Sequence, residues 1–226
     1  MSDPALDPVT DPVTDRGLDV VAFHGAHRLV PVVVVDREDR AQPLAEALAG
    51  AGLPSAEVTL RTPAALAAIA GMAGLPGFVV GAGTVVRPEQ VEQALSAGAR
   101  YVVSPGYSAA VDRECRRLDV LLVPGVATAT ELQTALDAGR EVVKFFPAAA
   151  AGGAAMVAAL SAPFPSARFV PTGGIGADDL AGYLRLSSVL AVGGTWLAPR
   201  DRVDAGDFEA VARETRAATS LVEQLP

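Results

Sequence analysis

The feature of this 226-residue sequence that most limits its possible folds is a repeated alternation beginning near residue 28. Short runs rich in valine and leucine alternate with alanine-rich segments whose apolar positions have helical spacing. Eight runs predict strands, at residues 29–35, 56–60, 78–82, 101–104, 121–124, 142–146, 168–171 and 189–192. Helices are predicted between or after them, at residues 41–49, 63–72, 88–97, 130–138, 178–184 and 208–223.

Strands this apolar need cover on both faces, which a parallel sheet wrapped by helices provides. Eight βα units in about 200 residues predict an α/β protein with a single (β/α)8 barrel, the TIM-barrel fold. A doubly wound open sheet is the alternative, but it commonly has fewer strands and often a glycine-rich nucleotide-binding loop after the first. Here the first strand is followed by Asp36-Arg37-Glu38-Asp39, which contains no glycine.

The N-terminal region is predicted to precede the barrel. It carries an imperfect Asp-Pro-Val-Thr repeat whose prolines and acids neither pack nor propagate a helix, so residues 1–18 are predicted to be a disordered tail. A short helix is predicted at residues 19–24, covering one end of the fold. The barrel domain is predicted to span residues 19–226.

Composition limits the partners and the compartment. The formal charge of -8 argues against nucleic acid or an anionic membrane as a partner, because both select for basic surfaces. No apolar run reaches 18 residues, and no basic segment with an apolar core behind it begins the chain. The one cysteine, Cys115, lies in residues 112–117, which are predicted to be helical. It cannot form an internal disulfide, which fits a reducing compartment. We therefore expect a soluble, cytoplasmic protein.

Metal chemistry is not expected. His24 and His27 are the only histidines, and no cluster of ligand residues neighbours them in the sequence. Nothing else in the chain can supply a histidine-based site. The sequence therefore predicts no metal site.

Lys144 is the strongest candidate for chemistry. It lies in Glu141-Val142-Val143-Lys144-Phe145-Phe146-Pro147, and it is the only lysine, since 17 of the 18 Lys and Arg residues are arginine. Burial disfavours a charged ammonium and so favours a neutral amine, which is a nucleophile. Arginine serves as well for ion pairs, whereas only lysine can lose its proton and condense with a carbonyl. The alternative is a barrel lysine whose stem lies on apolar surface and whose head reaches water.

Strand alternation predicts which side chains lie near this amine. In a (β/α)8 barrel, reactive groups point inward at the C-terminal ends of the strands. Because alternate residues share a face, Phe146 should point inward with Lys144 as an apolar wall. On the second strand Glu57, Thr59 and Arg61 share a face, and such a polar row is costly unless it lines a site. A structural ion pair between Glu57 and Arg61 is the alternative.

Two glycine pairs follow the last two predicted strands. They lie in Thr172-Gly173-Gly174-Ile175-Gly176 and in Gly193-Gly194-Thr195. Paired glycines let backbone N–H groups approach an anion closely, and the loops after strands seven and eight hold phosphate in such barrels. Turns alone also need glycine, but the two positions together predict a phosphorylated substrate.

Two further residues are expected at the mouth of the barrel. Thr84 follows the third predicted strand and could hydrogen-bond a substrate carboxylate or carbonyl, or cap the following helix. Pro105 follows the fourth strand and would contribute shape rather than chemistry.

Seven segments occur together in the order and spacing of a known family. They are Glu57-Val58-Thr59-Leu60-Arg61-Thr62, Gly81-Ala82-Gly83-Thr84, Ser104-Pro105-Gly106, Pro124-Gly125-Val126, Lys144-Phe145-Phe146-Pro147, Pro171-Thr172-Gly173-Gly174-Ile175 and Gly193-Gly194-Thr195-Trp196-Leu197. Over about residues 29–210 they resemble the 2-keto-3-deoxy-6-phosphogluconate (KDPG) and 4-hydroxy-2-oxoglutarate aldolase family. The resemblance implies a class I pyruvate aldolase of the Entner–Doudoroff pathway on a (β/α)8 barrel, a homotrimer that needs no metal or other cofactor and takes a phosphorylated keto acid.

The resemblance also implies roles for single residues. Lys144 resembles the family's Schiff-base lysine, and Glu57 resembles its general acid and base. Arg61, Thr84 and Pro105 resemble the family's residues around the pyruvate end of the substrate, and Phe146 resembles the residue that packs beside the imine. The family's residues that bind the chain hydroxyl and the phosphate of the substrate are resembled here by five residues: Thr172, Gly173, Gly174, Gly194 and Thr195.

This sequence departs from the family pattern at two positions. Thr195 stands where serine is usual, which keeps a hydroxyl but adds a methyl group. Ala149 comes directly after Lys-Phe-Phe-Pro-Ala, where the family often has glutamate, so any loop contact made by that acid is missing. Neither change removes a group with an implied catalytic role.

The implied reaction is cleavage of KDPG to pyruvate and glyceraldehyde 3-phosphate through an imine on Lys144. Cleavage of 4-hydroxy-2-oxoglutarate, or of the galactonate-derived C4 epimer of KDPG, would use the same imine. From another reaction class, a phosphosugar isomerase or epimerase would use Glu57 as a base and Lys144 as a charged electrophile. A non-enzymatic binding protein is the remaining alternative, but it would not explain why these polar groups converge.

Overall fold

A computed structural model describes residues 19–225 as short strands alternating with helices. The predicted disordered tail at residues 1–18 and the final Pro226 lie outside the described residues. The strands are β1 (Leu29–Val33), β2 (Ser55–Thr59), β3 (Val79–Gly83), β4 (Tyr101–Val103), β5 (Leu121–Val123), β6 (Gly125–Val126), β7 (Val142–Phe145), β8 (Arg168–Pro171) and β9 (Val192–Gly194). The helices are α1 (Val20–His27), α2 (Ala41–Gly50), α3 (Ala65–Ala73), α4 (Pro88–Ser96), α5 (Ala109–Arg117), α6 (Ala129–Asp137), α7 (Gly153–Ser161), α8 (Leu180–Leu184), α9 (Arg200–Ala205) and α10 (Phe208–Glu223), with 3-10 helices at Glu38–Arg40 and Ala177–Asp179.

The strands pair in parallel throughout the described residues. One sheet has the order β5-β4-β3-β2-β1-β9, and a second has the order β6-β7-β8. Pro124 alone separates β5 from β6, and its missing N–H interrupts the hydrogen-bond ladder there. Isolated parallel bridges, Phe169 with Val189 and Thr172 with Gly193, connect β8 with the chain around β9. The result is an α/β fold with a curled parallel sheet.

Burial follows from the apolar strands. Every residue of β1, β2 and β3 is buried, as expected for strands that are covered on both faces. Helix α10 packs against α2 on the outside of the sheet. Helix α1, whose N-cap Asp19 accepts backbone hydrogen bonds, covers one end of the sheet, where Val20 packs with Tyr101, Val103 and Val123.

The predicted order of strands and helices agrees with the structure, but several boundaries and two helices do not. The short helix predicted at residues 19–24 is present as α1 and continues to His27. The fifth predicted strand is interrupted at Pro124, and the sequence analysis missed α7 and α9. These two helices belong to alanine- and glycine-rich or charged segments whose composition carries little periodic signal.

The eighth predicted strand was placed wrongly. It was expected at residues 189–192, with Gly193 and Gly194 in the following loop, whereas β9 is Val192–Gly194. A Cβ atom on Gly193 would lie 2.2 Å from the Thr172 hydroxyl oxygen, and one on Gly194 would lie 2.3 Å from Nε1 of Trp196. Glycine within a strand marks such close approach, and a search for valine-rich runs excludes it.

Candidate active site

Lys144 of β7 and Glu57 of β2 form a buried pair. The Lys144 ammonium donates a hydrogen bond to Oε1 of Glu57 at 2.9 Å. The two residues are only 6% and 2% exposed. An ion pair with so little access to water is not a surface contact, and the amine does not reach out to bulk solvent. The structure therefore brings together the two groups for which the sequence analysis predicted catalysis.

The adjacent strand β3 leaves room for this carboxylate. A Cβ atom on Gly83 would lie 2.3 Å from Oε1 of Glu57, so the carboxylate occupies the space that a side chain there would fill. The sequence analysis read residues 81–84 as the end of a strand with a loop. Gly83 is the last residue of β3, and its lack of a side chain leaves room for the carboxylate of Glu57.

An aromatic ring lies beside the amine. Phe146 follows β7 and shares the face of Lys144, as strand alternation predicts. The Lys144 nitrogen is 5.4 Å from the centroid of the Phe146 ring, within the range of a cation–π contact. The ring gives the amine an apolar wall on one side.

The predicted polar row on β2 is only partly present. Thr59 is buried, but its hydroxyl donates to the Val33 carbonyl oxygen at 3.1 Å and so links β2 to β1. β2 ends at Thr59, and Arg61 lies in the turn beyond it, exposed to solvent. Arg61 therefore lies outside the strand whose alternation placed it on this face, and its inward direction stays a prediction. Glu57 pairs with Lys144 rather than with Arg61.

Thr84 lies in an unusual conformation after β3. Its φ is +60°, in the left-handed region that a β-branched residue rarely adopts. Such strain is concentrated at functional sites, where the surrounding structure holds it in place. Arg87 is the N-cap of the next helix, α4, so the alternative that Thr84 caps this helix is wrong.

Pro105 lies at the surface and rests against the strand next to Lys144. A Cβ atom on Gly125 would lie 2.1 Å from the Pro105 carbonyl oxygen. Gly125 is the register partner of Lys144 in the pairing of β6 with β7. The loop after β4 therefore approaches the strand end that carries the amine.

The two glycine segments lie side by side. Thr172, which is 3% exposed, forms a bridge with Gly193. Gly173 and Gly174 have φ of +101° and +73°, which favours glycine at both positions. A Cβ atom on Gly173 would lie 3.1 Å from the Phe146 ring, so this loop borders the wall of the amine.

The remaining predicted residues follow β9. Gly194 is the last residue of that strand and is buried, and Thr195 comes directly after it and is exposed. Trp196 then turns its indole back over Gly194. The loops after β8 and β9 thus form one continuous edge near Lys144.

A cavity that the sequence analysis missed lies on the other side of the pair. It runs from α1 to Lys144 and Glu57, and His24 and Tyr101 contribute polar groups to its wall. The sequence analysis found no chemical neighbour for His24, because the contact with Tyr101 joins residues 77 positions apart. Strand register, which composition does not reveal, would have been the only signal.

Other candidate groups lie apart from this site. Cys115 is buried in α5, and burial raises the pKa of its thiol to about 11, which keeps it protonated and unreactive. Among residues 19–225, no group of three or more His, Cys, Asp or Glu side chains is placed to bind a metal ion. In the same range, no helix combines the length and apolar character needed to cross a membrane.

The arrangement suits carbonyl chemistry. An amine shielded from water can add to a ketone, and a carboxylate at 2.9 Å can accept and return the protons that such an addition moves. The Gly173 loop borders the Phe146 ring that lies beside the amine, and backbone N–H groups of such a glycine segment can bind an anion.

Comparison with known proteins gives consistent relatives. A family model described as KDPG and KHG aldolase matches residues 22–214. A protein of Treponema pallidum named 2-dehydro-3-deoxy-phosphogluconate aldolase is 45% identical over 196 residues, which are 86% of this chain and 93% of that protein.

Two solved structures agree with this match. The KDPG aldolase of Legionella pneumophila, with pyruvate captured as a covalent carbinolamine intermediate, has a TM-score of 0.84 and 39% identity, covering 88% of this chain and 97% of that one. The aldolase of Zymomonas mobilis with 3-phosphoglycerate has a TM-score of 0.82 and 40% identity, covering 88% and 95%.

Proposed function

We propose that this chain, which belongs to the KDPG and KHG aldolase family, is an aldehyde-lyase that cleaves KDPG to pyruvate and glyceraldehyde 3-phosphate through a Schiff base. The observation that carries the proposal is the buried contact of 2.9 Å between the amine of Lys144 and the carboxylate of Glu57. The pyruvate carbinolamine of the Legionella relative supports covalent chemistry between pyruvate and an amine of the protein.

The proposed mechanism begins with this contact. Glu57 accepts a proton from the Lys144 ammonium, and the neutral amine attacks the C2 ketone of the substrate. Glu57 returns the proton to the hydroxyl of the resulting carbinolamine, and water leaves to give a protonated imine. Glu57 then takes the C4 hydroxyl proton while the C3–C4 bond breaks, and the imine accepts the electron pair as an enamine. Protonation at C3 and hydrolysis release pyruvate and restore the amine.

The loops around the pair supply the proposed binding groups. Arg61, Thr84 and Pro105 lie in loops after β2, β3 and β4, where a carboxylate at the pyruvate end would enter. Phe146 packs beside the imine. On the other side, the groups for the chain alcohol and the phosphate are Thr172, Gly173, Gly174, Gly194 and Thr195. The 3-phosphoglycerate in the Zymomonas relative supports a site for a phosphorylated three-carbon fragment.

We also propose that residues 19–226 form one closed (β/α)8 barrel. The bridges between β8 and the chain around β9, and the single proline between β5 and β6, support closure of the two sheets into one ring. Family membership further supports a cytoplasmic homotrimer, and sedimentation equilibrium of the purified protein measures the number of subunits.

Pyruvate release tests the function and its substrate. We expect purified protein to release pyruvate from KDPG, measured by coupling to lactate dehydrogenase and NADH. Comparison with the C4 epimer derived from galactonate and with 4-hydroxy-2-oxoglutarate identifies the preferred substrate, since all three use the same imine. A phosphosugar isomerase or epimerase would release no pyruvate from any of them, and that result would exclude the proposal.

The Gly174→Ala substitution is expected to weaken the preference of the protein for the phosphorylated substrate. Its Cβ would lie 2.8 Å from that of Ala149, in a left-handed conformation that costs a side chain about 1–2 kcal/mol, so the loop and its N–H groups must shift. We expect kcat/KM to fall by about 10-fold or more for KDPG and by less than about 3-fold for 4-hydroxy-2-oxoglutarate, which has no phosphate. Gly50→Ala is a matched control, because Gly50 has no neighbour within 4 Å and no positive φ. An equal loss for both substrates would contradict a phosphate role for this loop.

A further inference from the structure

The cavity between α1 and the Lys144–Glu57 pair has no role in the reaction as proposed above. Its volume is about 20 Å³, which is room for about one water molecule. Valine and leucine side chains form most of its wall, and the polar side chains that line it are His24, Glu57, Tyr101 and Lys144. A cavity this small excludes a metabolite but not a water.

Strand register brings Tyr101 to this cavity. Glu57 pairs with Gly81 on β3, and Gly81 pairs with Tyr101 on β4, so the three residues lie side by side across the sheet. A Cβ atom on Gly81 would lie 2.2 to 2.5 Å from atoms of the Tyr101 ring. The ring therefore fills the space above Gly81 and lies next to the side chain of Glu57.

Three buried polar atoms here have no protein partner among residues 19–225. They are the hydroxyl of Tyr101 and both ring nitrogens of His24. The two residues are 2% and 6% exposed, and their rings meet edge to face with centroids 5.0 Å apart. Buried polar groups are nearly always hydrogen-bonded, so this pair requires a ligand that both donates and accepts.

Both groups are neutral near pH 7. Burial, with a smaller contribution from the Glu57 charge, raises the pKa of Tyr101 well above its ordinary value, so its O–H remains a donor. Burial, and to a lesser extent His27, lowers the pKa of His24 to about 4, so its imidazole has one donor and one acceptor nitrogen. A water molecule, which offers two donors and two acceptors, can bind the Tyr101 hydroxyl and one of the two ring nitrogens of His24.

We propose that this cavity holds a single water molecule, bound by Tyr101 and His24, that hydrogen-bonds the carboxylate of Glu57 from the α1 side. The proposal rests on the proposed function. Once Lys144 has become an imine, it no longer offers Glu57 the hydrogen bonds of a free ammonium. The water then keeps the carboxylate in place while it moves protons at the substrate, and Tyr101 is a positioning residue that acts through Glu57.

The Tyr101→Phe substitution tests this role, because it keeps the ring and removes only the hydroxyl. We expect kcat to fall by about 3- to 10-fold with KM within about 2-fold of the unmodified protein. Solvent exchange of the pyruvate methyl protons in D2O, followed by NMR, should slow by the same factor, since it needs proton transfer at the enamine. Borohydride trapping of pyruvate on Lys144 should still go to completion.

Thr215→Val is the matched control. Thr215 of α10 also has a buried hydroxyl without a protein partner among residues 19–225, but it does not line the cavity. Its removal should leave kcat and methyl exchange unchanged. If Tyr101→Phe does not fold, His24→Leu provides the same measurement, with a similar loss expected. If both fold, the double variant should be no slower than the slower single variant, because they share one water.

The outcomes separate the two proposals. Failure of the unmodified protein to trap pyruvate would overturn the proposed function and the positioning role with it. Normal trapping with kcat and methyl exchange unchanged in Tyr101→Phe would overturn the positioning role alone. A crystal structure of the unmodified protein without density for a water between Tyr101 and His24 would overturn the water site, whatever the kinetics.

Discussion

Replacing Lys144 with arginine is expected to abolish turnover while the protein stays folded. Arginine keeps a positive charge that can pair with Glu57, so the buried carboxylate is not left without a partner. A guanidinium does not lose its proton near pH 7 and forms no imine with a ketone. We expect kcat to fall by about 10⁴-fold or more, the range found when an enzyme loses its nucleophile.

Borohydride reduction in the presence of pyruvate measures the covalent step directly. Mass spectrometry of the unmodified protein should show one adduct on a peptide that contains Lys144, and Lys144→Arg should show none. Thermal unfolding followed by circular dichroism reports whether the fold is retained.

The absence of any other lysine allows a sharp control. Lys144→Arg combined with Arg168→Lys restores one lysine to the chain, on an exposed position of the adjacent strand β8. This variant should remain untrapped and inactive, because the amine there is solvated and far from Glu57. Normal turnover in either variant would contradict the role proposed for Lys144.

The sequence carried enough information to predict the pair and the succession of strands. A single lysine in a chain that otherwise uses arginine identified Lys144, and alternation on short strands placed Glu57 and Phe146 on inward faces. Parallel strands that are buried on both faces leave continuous apolar runs, which is why their order was readable. The structure places the amine and the carboxylate in contact, as the family resemblance implies.

Other features depend on contacts between distant segments, which local patterns do not encode. Whether Arg61 lies on the same face as Glu57 depends on where β2 ends. The hydroxyl of Thr59 donates a hydrogen bond to the Val33 carbonyl oxygen of another strand, β1. The left-handed backbone of Thr84 goes against local preference and is maintained only by its surroundings. Local propensity alone could predict neither.

Register explains the remaining misses. Gly193 and Gly194 look like loop residues by composition, yet they continue β9 because Thr172 and Trp196 occupy the space of their missing side chains. Gly81 likewise leaves space that the ring of its register partner Tyr101 fills, and the ring thereby lies next to Glu57. A glycine inside a strand is thus informative only once its neighbour across the sheet is known.

The Glu57→Gln substitution is expected to separate imine formation from carbon–carbon bond cleavage. The amide keeps the size of the side chain, and its oxygen can still accept a hydrogen bond from Lys144, but it cannot take a proton from the C4 hydroxyl. General acid–base catalysis contributes about 10²- to 10⁴-fold, and we expect kcat for KDPG to fall by this amount. Solvent exchange of the pyruvate methyl protons should fall in parallel, because it uses the same carboxylate.

Trapping distinguishes this loss from a general collapse of the site. Borohydride should still give the pyruvate adduct on Lys144 in Glu57→Gln, only more slowly, because the carboxylate also assists the proton transfers of imine formation. Glu141→Gln is the control: Glu141 is exposed immediately before β7, and its change should leave kcat within about 2-fold of the unmodified protein. Turnover of Glu57→Gln within about 10-fold of normal would mean that another group moves the proton. Because Lys144 and Glu57 share one contact, only the combination of lost cleavage and retained trapping assigns the acid–base role to Glu57 rather than to the lysine it accompanies.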